Sequence, residues 1–127
     1  MIENLSKKTL EAMLDTLPVE ISFVDEDDVV RYFNKDGDRI FPRPRSVIGR
    51  RVQNCHPRES VDKVQQILDE MRAGSRDVAE FWIDLKGRKI YIRYFAVRDA
   101  DWNYLGCLEV SQDITDIQKI KGEKRLL

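Results

Sequence analysis

DVAEFWIDLKGRKIYIRYFAVRDADWNYLGCLEVSQDIT, residues 77–115, contains three runs rich in β-branched and aromatic residues, separated by short turn signals. Lys86-Gly87 suits a tight hairpin turn, and Asp99, Asp101 and Asn103 supply the polar residues of a longer loop. Three adjacent antiparallel strands are expected over residues 77–85, 88–98 and 104–112. Three strands alone leave a broad apolar face, so the rest of the chain must supply further strands or a helical layer.

Upstream, VEISFVDEDDVVRYFN reads as two more strands, Val19 to Val24 and Val29 to Phe33, joined at the acidic turn Asp25 to Asp28. Residues 34–52 carry two glycines and two prolines with few periodic apolar positions, which predicts short helical turns and loops. Val61, Val64, Leu68 and Met71 then fall on one helical stripe that ends at Ala73-Gly74. Leu5, Leu10, Met13, Leu14 and Leu17 form a second stripe near the N-terminus, with Ser6 as a cap and Pro18 as the stop. Ile114, Ile117, Ile120 and Leu127 are spaced for a terminal helix, which Gly122 weakens, so a linker is the alternative there. The order gives an α+β fold: a five-stranded antiparallel sheet with helices on one face and flanking N- and C-terminal helices.

Composition narrows the function. A chain of 127 residues is one domain long, and 42% apolar with 35% charged residues is the make-up of a globular protein. A net charge of -1 provides no field that would recruit nucleic acid or anionic lipid. Cys55 and Cys107 lie far apart without CxxC spacing, so reduced thiols in a cytoplasmic setting are the expectation. No apolar run approaches the roughly 18 residues of a spanning helix, and acids interrupt the apolar residues at the start, unlike a signal peptide.

The element order and several short motifs together resemble a PAS domain from about Leu17 to Thr115. Phe23-Val24-Asp25 resembles its first strand, Asn34 the asparagine after the second strand, and Ile48-Gly49 the glycine before the central helices. His56-Pro57 resembles the pair preceding the long helix, Gly87 the turn of the third hairpin, and Asp113-Ile114-Thr115 the exit motif. The wording CHP, AEFW, IYIRYFAVRD, YLGCLEVSQDIT and GEKRLL is similar to the PAS variant found behind hemerythrin-like domains in bacterial regulators, although no hemerythrin-like ligand pattern occurs here. The resemblance implies an N-terminal helix over 1–17, a PAS domain over 18–115 and a linker or signalling helix over 116–127. It also implies a cavity between sheet and helices where relatives bind haem, flavin, small acids or nothing, with sensing and dimerisation as the work.

Chemistry-bearing residues are few. His56, the single histidine, can be read as a haem ligand or as the cap of the long helix, with Pro57 at the first helical position and Glu59 at the third. The second reading explains all three residues and is preferred. Asn54-Cys55 copies two letters of a flavin-attaching motif, but Cys55 stands six residues past Gly49 instead of three, which argues against a photochemical thiol. With one histidine and no Gly-x-Ser-x-Gly elbow, no hydrolytic triad can be assembled, and a non-enzymatic role is expected. Arg43, Arg45, Arg50 and Arg51 either read a carboxylate or phosphate or form a solvated loop.

The cavity itself is the best candidate site. Strand alternation, set against the PAS pattern, turns Trp82, Tyr94, Ile92 and Leu108 inward, with Phe41 and His56 on the helical side. These residues either hold a small molecule or cofactor or fill the core. The opposite face would then carry Phe81, Ile83, Tyr91, Phe95, Val97 and Leu105, too apolar to stay open. A homodimer through the N-terminal helix and this face is expected, in either a ligand-regulated sensor or a ligand-free interaction module.

Overall fold

The computed structural model describes residues 1–126. Strands β1 (Glu20–Asp25), β2 (Val30–Phe33), β3 (Val78–Leu85), β4 (Arg88–Arg98) and β5 (Tyr104–Asp113) form one antiparallel sheet in the order β2-β1-β5-β4-β3. Lys86 and Gly87 both take positive φ, 51° and 78°, which matches the right-handed twist of the β3–β4 hairpin they join. The chain leaves β2 at one edge, crosses the sheet through residues 34–77, and re-enters at the opposite edge as β3. β5 then closes the centre against β1.

The crossover contains short 3-10 turns at Arg45–Val47 and Val52–Cys55, followed by helix α2, Arg58–Ala73. Val64, Leu68 and Met71 of α2 pack with Val24, Val30, Phe33, Val47, Val52 and Cys107 in one core. Gly74 ends the helix at φ 84°, a conformation glycine adopts without strain. The helix begins one residue later than expected. Pro57 is the cap, and Glu59 falls at the second helical position. His56 ends the preceding 3-10 turn because its Nδ1 lies 3.1 Å from the Val52 carbonyl oxygen, which holds the ring against that turn.

Helix α1, Lys7–Thr16, is capped by Ser6, whose hydroxyl oxygen accepts from the Thr9 amide at 3.1 Å. It is fastened at the β2 side of the sheet. The Leu14 carbonyl accepts from Asn34, and the Asp15 carboxylate accepts from the Lys35 amide. At the other end, residues 116–126 take a 3-10 turn at Ile117–Lys119 and then no regular structure; Leu127 lies outside the described residues.

Register assigns the two faces of the sheet. Directly opposed residues in an antiparallel pair share a face. Tyr94 and Cys107 touch the helical core, so the inner face includes Ala79, Phe81 and Ile83 opposite Tyr94, Ile92 and Ile90. Trp82 therefore lies outside, opposite Tyr91, and Leu108 lies outside, opposite Phe95 and Phe23. The expected inward placement of Trp82 and Leu108, and the outward placement of Phe81 and Ile83, are corrected. On β3, Glu80 and Asp84 share the outer face with Trp82, whereas Ala79, Phe81, Ile83 and Leu85 on the inner face are all apolar, so the acids outweigh the large Trp82 ring in setting the faces.

Candidate functional site

A cleft of about 330 Å³ lies between the inner face of β3, β4 and β5 and the loop from Phe41 to Pro44. Glu20, 4% exposed at the start of β1, holds that loop in place. Its carboxylate accepts from the Ile40 and Phe41 amides and pairs with Arg39 at 3.6 Å. Arg39 in turn donates to the Asn34 carbonyl at 2.6 Å and the Phe41 carbonyl at 3.1 Å. A loop so tethered presents its next cation over the sheet: Arg43 donates to Glu109 of β5 at 3.0 Å.

Around this ion pair the walls are mostly apolar. Phe41, Val47, Phe81 and Ile92 line the cleft, and the Phe81 ring meets Tyr94 edge-on at 5.5 Å between centroids. Glu109 stands directly opposite Tyr94 across the β4–β5 ladder. Burial, reinforced by the Glu109 charge, pushes the Tyr94 phenol far above its ordinary range, so it remains a neutral hydroxyl at the cleft wall. Cys107, one row deeper, is pushed up to about 12 by burial and then by Glu109, which leaves an inert thiol.

Of the residues expected to line a cavity, Phe41, His56, Ile92 and Tyr94 come together here. Trp82 and Leu108 do not, for the register reason above. His56 also faces a small apolar space against Val64, Ile67 and Leu68, so its ring does point inward. Among the loop arginines, Arg43 and Arg50 reach the cleft, whereas Arg45 pairs with Asp36 at the surface and Arg51 points toward Asp28. Glu20, Arg39 and Glu109 were not anticipated. Glu109 was legible as an acid in mid-strand, between Leu108 and Val110. The Arg43–Glu109 pair bridges loop and sheet in the same cleft that His56 lines.

A family model described as "PAS domain" matches residues 10–115. The chain belongs to the PAS domain family. This PAS domain is similar to a C-terminal domain from Streptococcus mutans at 35% identity, with a TM-score of 0.86 over 92% of this chain and 91% of that one. A sensory box sensor histidine kinase from Vibrio cholerae matches at 17% identity and TM-score 0.59, over 84% of this chain and 89% of that one. The Vibrio cholerae VqmA dimer matches at 18% identity and TM-score 0.61, over 89% of this chain but 54% of that one. No curated protein matches the chain.

The PAS motifs also have visible physical roles. Asn34 is buried between α1, β1 and β2, accepting from the Ile21 amide at 2.7 Å and donating to the Leu14 and Val19 carbonyls. Gly49, at φ 89°, donates its amide to Val30 at 2.8 Å and so joins the crossover to β2. At the exit, Asp113 accepts from the Thr115 amide and hydroxyl, while Thr115 accepts from the Lys89 amide. The same fold occurs in the PAS domain of a histidine kinase, ThkA, at 16% identity and a TM-score of 0.57. Among the described residues no helix is long and apolar enough to cross a membrane.

Proposed function

We propose that this PAS domain is a non-catalytic, cytoplasmic sensory module that binds a small molecule in the inner cleft and passes its state through a homodimer. The observation that carries this reading is the cleft itself. Its roughly 330 Å³ lies within the usual size of small-molecule sites, and its wall combines apolar side chains with one ion pair and one neutral phenol. Arg43 Nε is buried there with no hydrogen-bond partner among the described residues. Such a donor is a ready contact for a ligand acceptor.

The route to an output runs from the cleft through Glu109 along β5 to Asp113, where Arg88 and Thr115 hold the exit turn. A ligand that favours one position of the Phe41–Pro44 loop would bias this path. The finer resemblance to PAS domains behind hemerythrin-like domains is part of the same proposal, and it agrees with the C-terminal position of the similar Streptococcus mutans domain.

A second reading, a ligand-free dimerisation module, is favoured by the outer face, where Trp82 is 61% exposed beside Tyr91. Thermal-shift screening against a metabolite library, with Cys55→Phe as the filled-cleft control, separates the two. The sensor reading expects a shift that the control loses. If no compound shifts the wild type while the protein remains dimeric, the second reading stands.

A further inference from the structure

The Arg43–Glu109 pair restricts what the cleft can bind. Its side chains are only 14% and 18% exposed, so neither charge can rely on water if its partner is taken away. An anion binding to Arg43 alone would strand the Glu109 carboxylate in an apolar wall. A cation binding to Glu109 alone would strand Arg43. Glu20 and Arg39 adjoin the pair and are themselves matched, so these four charges sum to zero, while Arg50 at the cleft's rim is exposed to water.

A molecule bearing one carboxylate and one ammonium leaves no charge stranded. We infer that the cleft recognises a zwitterionic small molecule, an α-amino acid or close relative with an apolar side chain, inserted between Arg43 and Glu109. The carboxylate takes the Arg43 fork, including the Nε that has no partner among the described residues, and a fork of two donors matches a carboxylate well. The ammonium takes Glu109. His56, whose Nδ1 lies 3.1 Å from the Val52 carbonyl oxygen, lines the same cleft. The apolar side chain lies against Phe41, Phe81 and Ile92.

This inference rests on the cleft being a ligand site, and the experiment tells the two apart. Isothermal titration of the whole chain uses L-phenylalanine, L-leucine and L-methionine, each beside its N-acetyl and its amide form, and indole as a neutral probe. At least one free amino acid is expected to bind, and blocking either charge should weaken it tenfold or more. Glu109→Gln should shift preference toward the N-acetyl form, and Arg43→Met toward the amide. Chemical-shift mapping on the wild type provides the same comparison without any variant. Equal or better binding of indole or of a blocked form to the wild type overturns the zwitterion and leaves the ligand site standing. Failure of every probe overturns the inference, and the metabolite screen then decides whether the site reading goes with it.

Discussion

The Asn34 side chain ties three elements of the fold together. It is 1% exposed, and its amide group links the end of α1, the start of β1 and the end of β2 through three main-chain partners. Asn34→Ala leaves one buried donor and two carbonyls without partners, and each such group typically costs about 1–3 kcal/mol. We expect a loss of about 3 kcal/mol in urea unfolding with an unchanged slope, since the exposed surface on unfolding stays the same. Gly106 constrains the backbone instead. At φ 150° an added Cβ would collide with the Val24 carbonyl oxygen and stand 2.8 Å from the Phe23 ring, both fixed parts of β1. Gly106→Ala is expected to destabilise more than Gly74→Ala, where an added Cβ meets nothing within 4 Å. Paired thermal melts of the two variants check this, and equal losses would mean that β1 gives way.

The exit turn of β5 shows how an element end can carry pH dependence. Hydrogen bonds from Arg88 and Thr115 hold the Asp113 carboxyl down at about 2, against an ordinary 3.8. A carboxyl lowered in the folded state contributes stability that is present above 3.8 and lost as pH falls through 3.8 toward about 2. Asp113→Asn should therefore flatten the stability profile across that window and leave its slope at neutral pH unchanged, with the carboxyl's NMR titration as the direct check. At this scale most of the fold was legible. Period-2 runs marked the strands, and Lys86-Gly87 and Gly74 marked a turn and a helix end by their need for positive φ. Which face of β3 turns inward hung on weighing Trp82 against the acids Glu80 and Asp84 beside it, when the opposite residues Ala79, Phe81, Ile83 and Leu85 are all apolar. Register against β4, a long-range property, decides it, and with it the fate of Trp82 and Leu108. The site was half legible for the same reason: Phe41, His56, Ile92 and Tyr94 followed from position in the fold, whereas the partner of Arg43 became visible only when the loop was seen lying over β5.

For the molecule as a whole, the outer sheet face is divided. Near β1 and β5, Ile21 and Val110 are buried, while toward β3 Tyr91, Phe95 and Val97 are half-buried and Trp82 is exposed. The Arg93 guanidinium lies 4.7 Å from the Tyr91 ring centre and 5.6 Å from that of Phe95, so the exposed patch already carries aromatic rings bridged by a cation. α1 does not reach across to shield Trp82, because its hydrogen bonds to Asn34 and Lys35 fix it at the far edge. A second copy related by a two-fold axis would cover both open patches at once, each aromatic cluster packing on the other or on the exposed Met13 and Leu17 of the partner's helix. Aromatic residues at the centre of such interfaces commonly contribute about 2 kcal/mol or more, roughly thirtyfold in Kd. Phe95→Glu should therefore convert a dimer to a monomer in sedimentation equilibrium, and Trp82→Ala should weaken it by about that factor. Glu109→Gln, on the inner face, should leave association unchanged, which separates loss of the interface from loss of the ligand site. A wild-type chain that stays monomeric at the highest attainable concentration, or a Phe95→Glu variant that dimerises as before, would move the interface off this face.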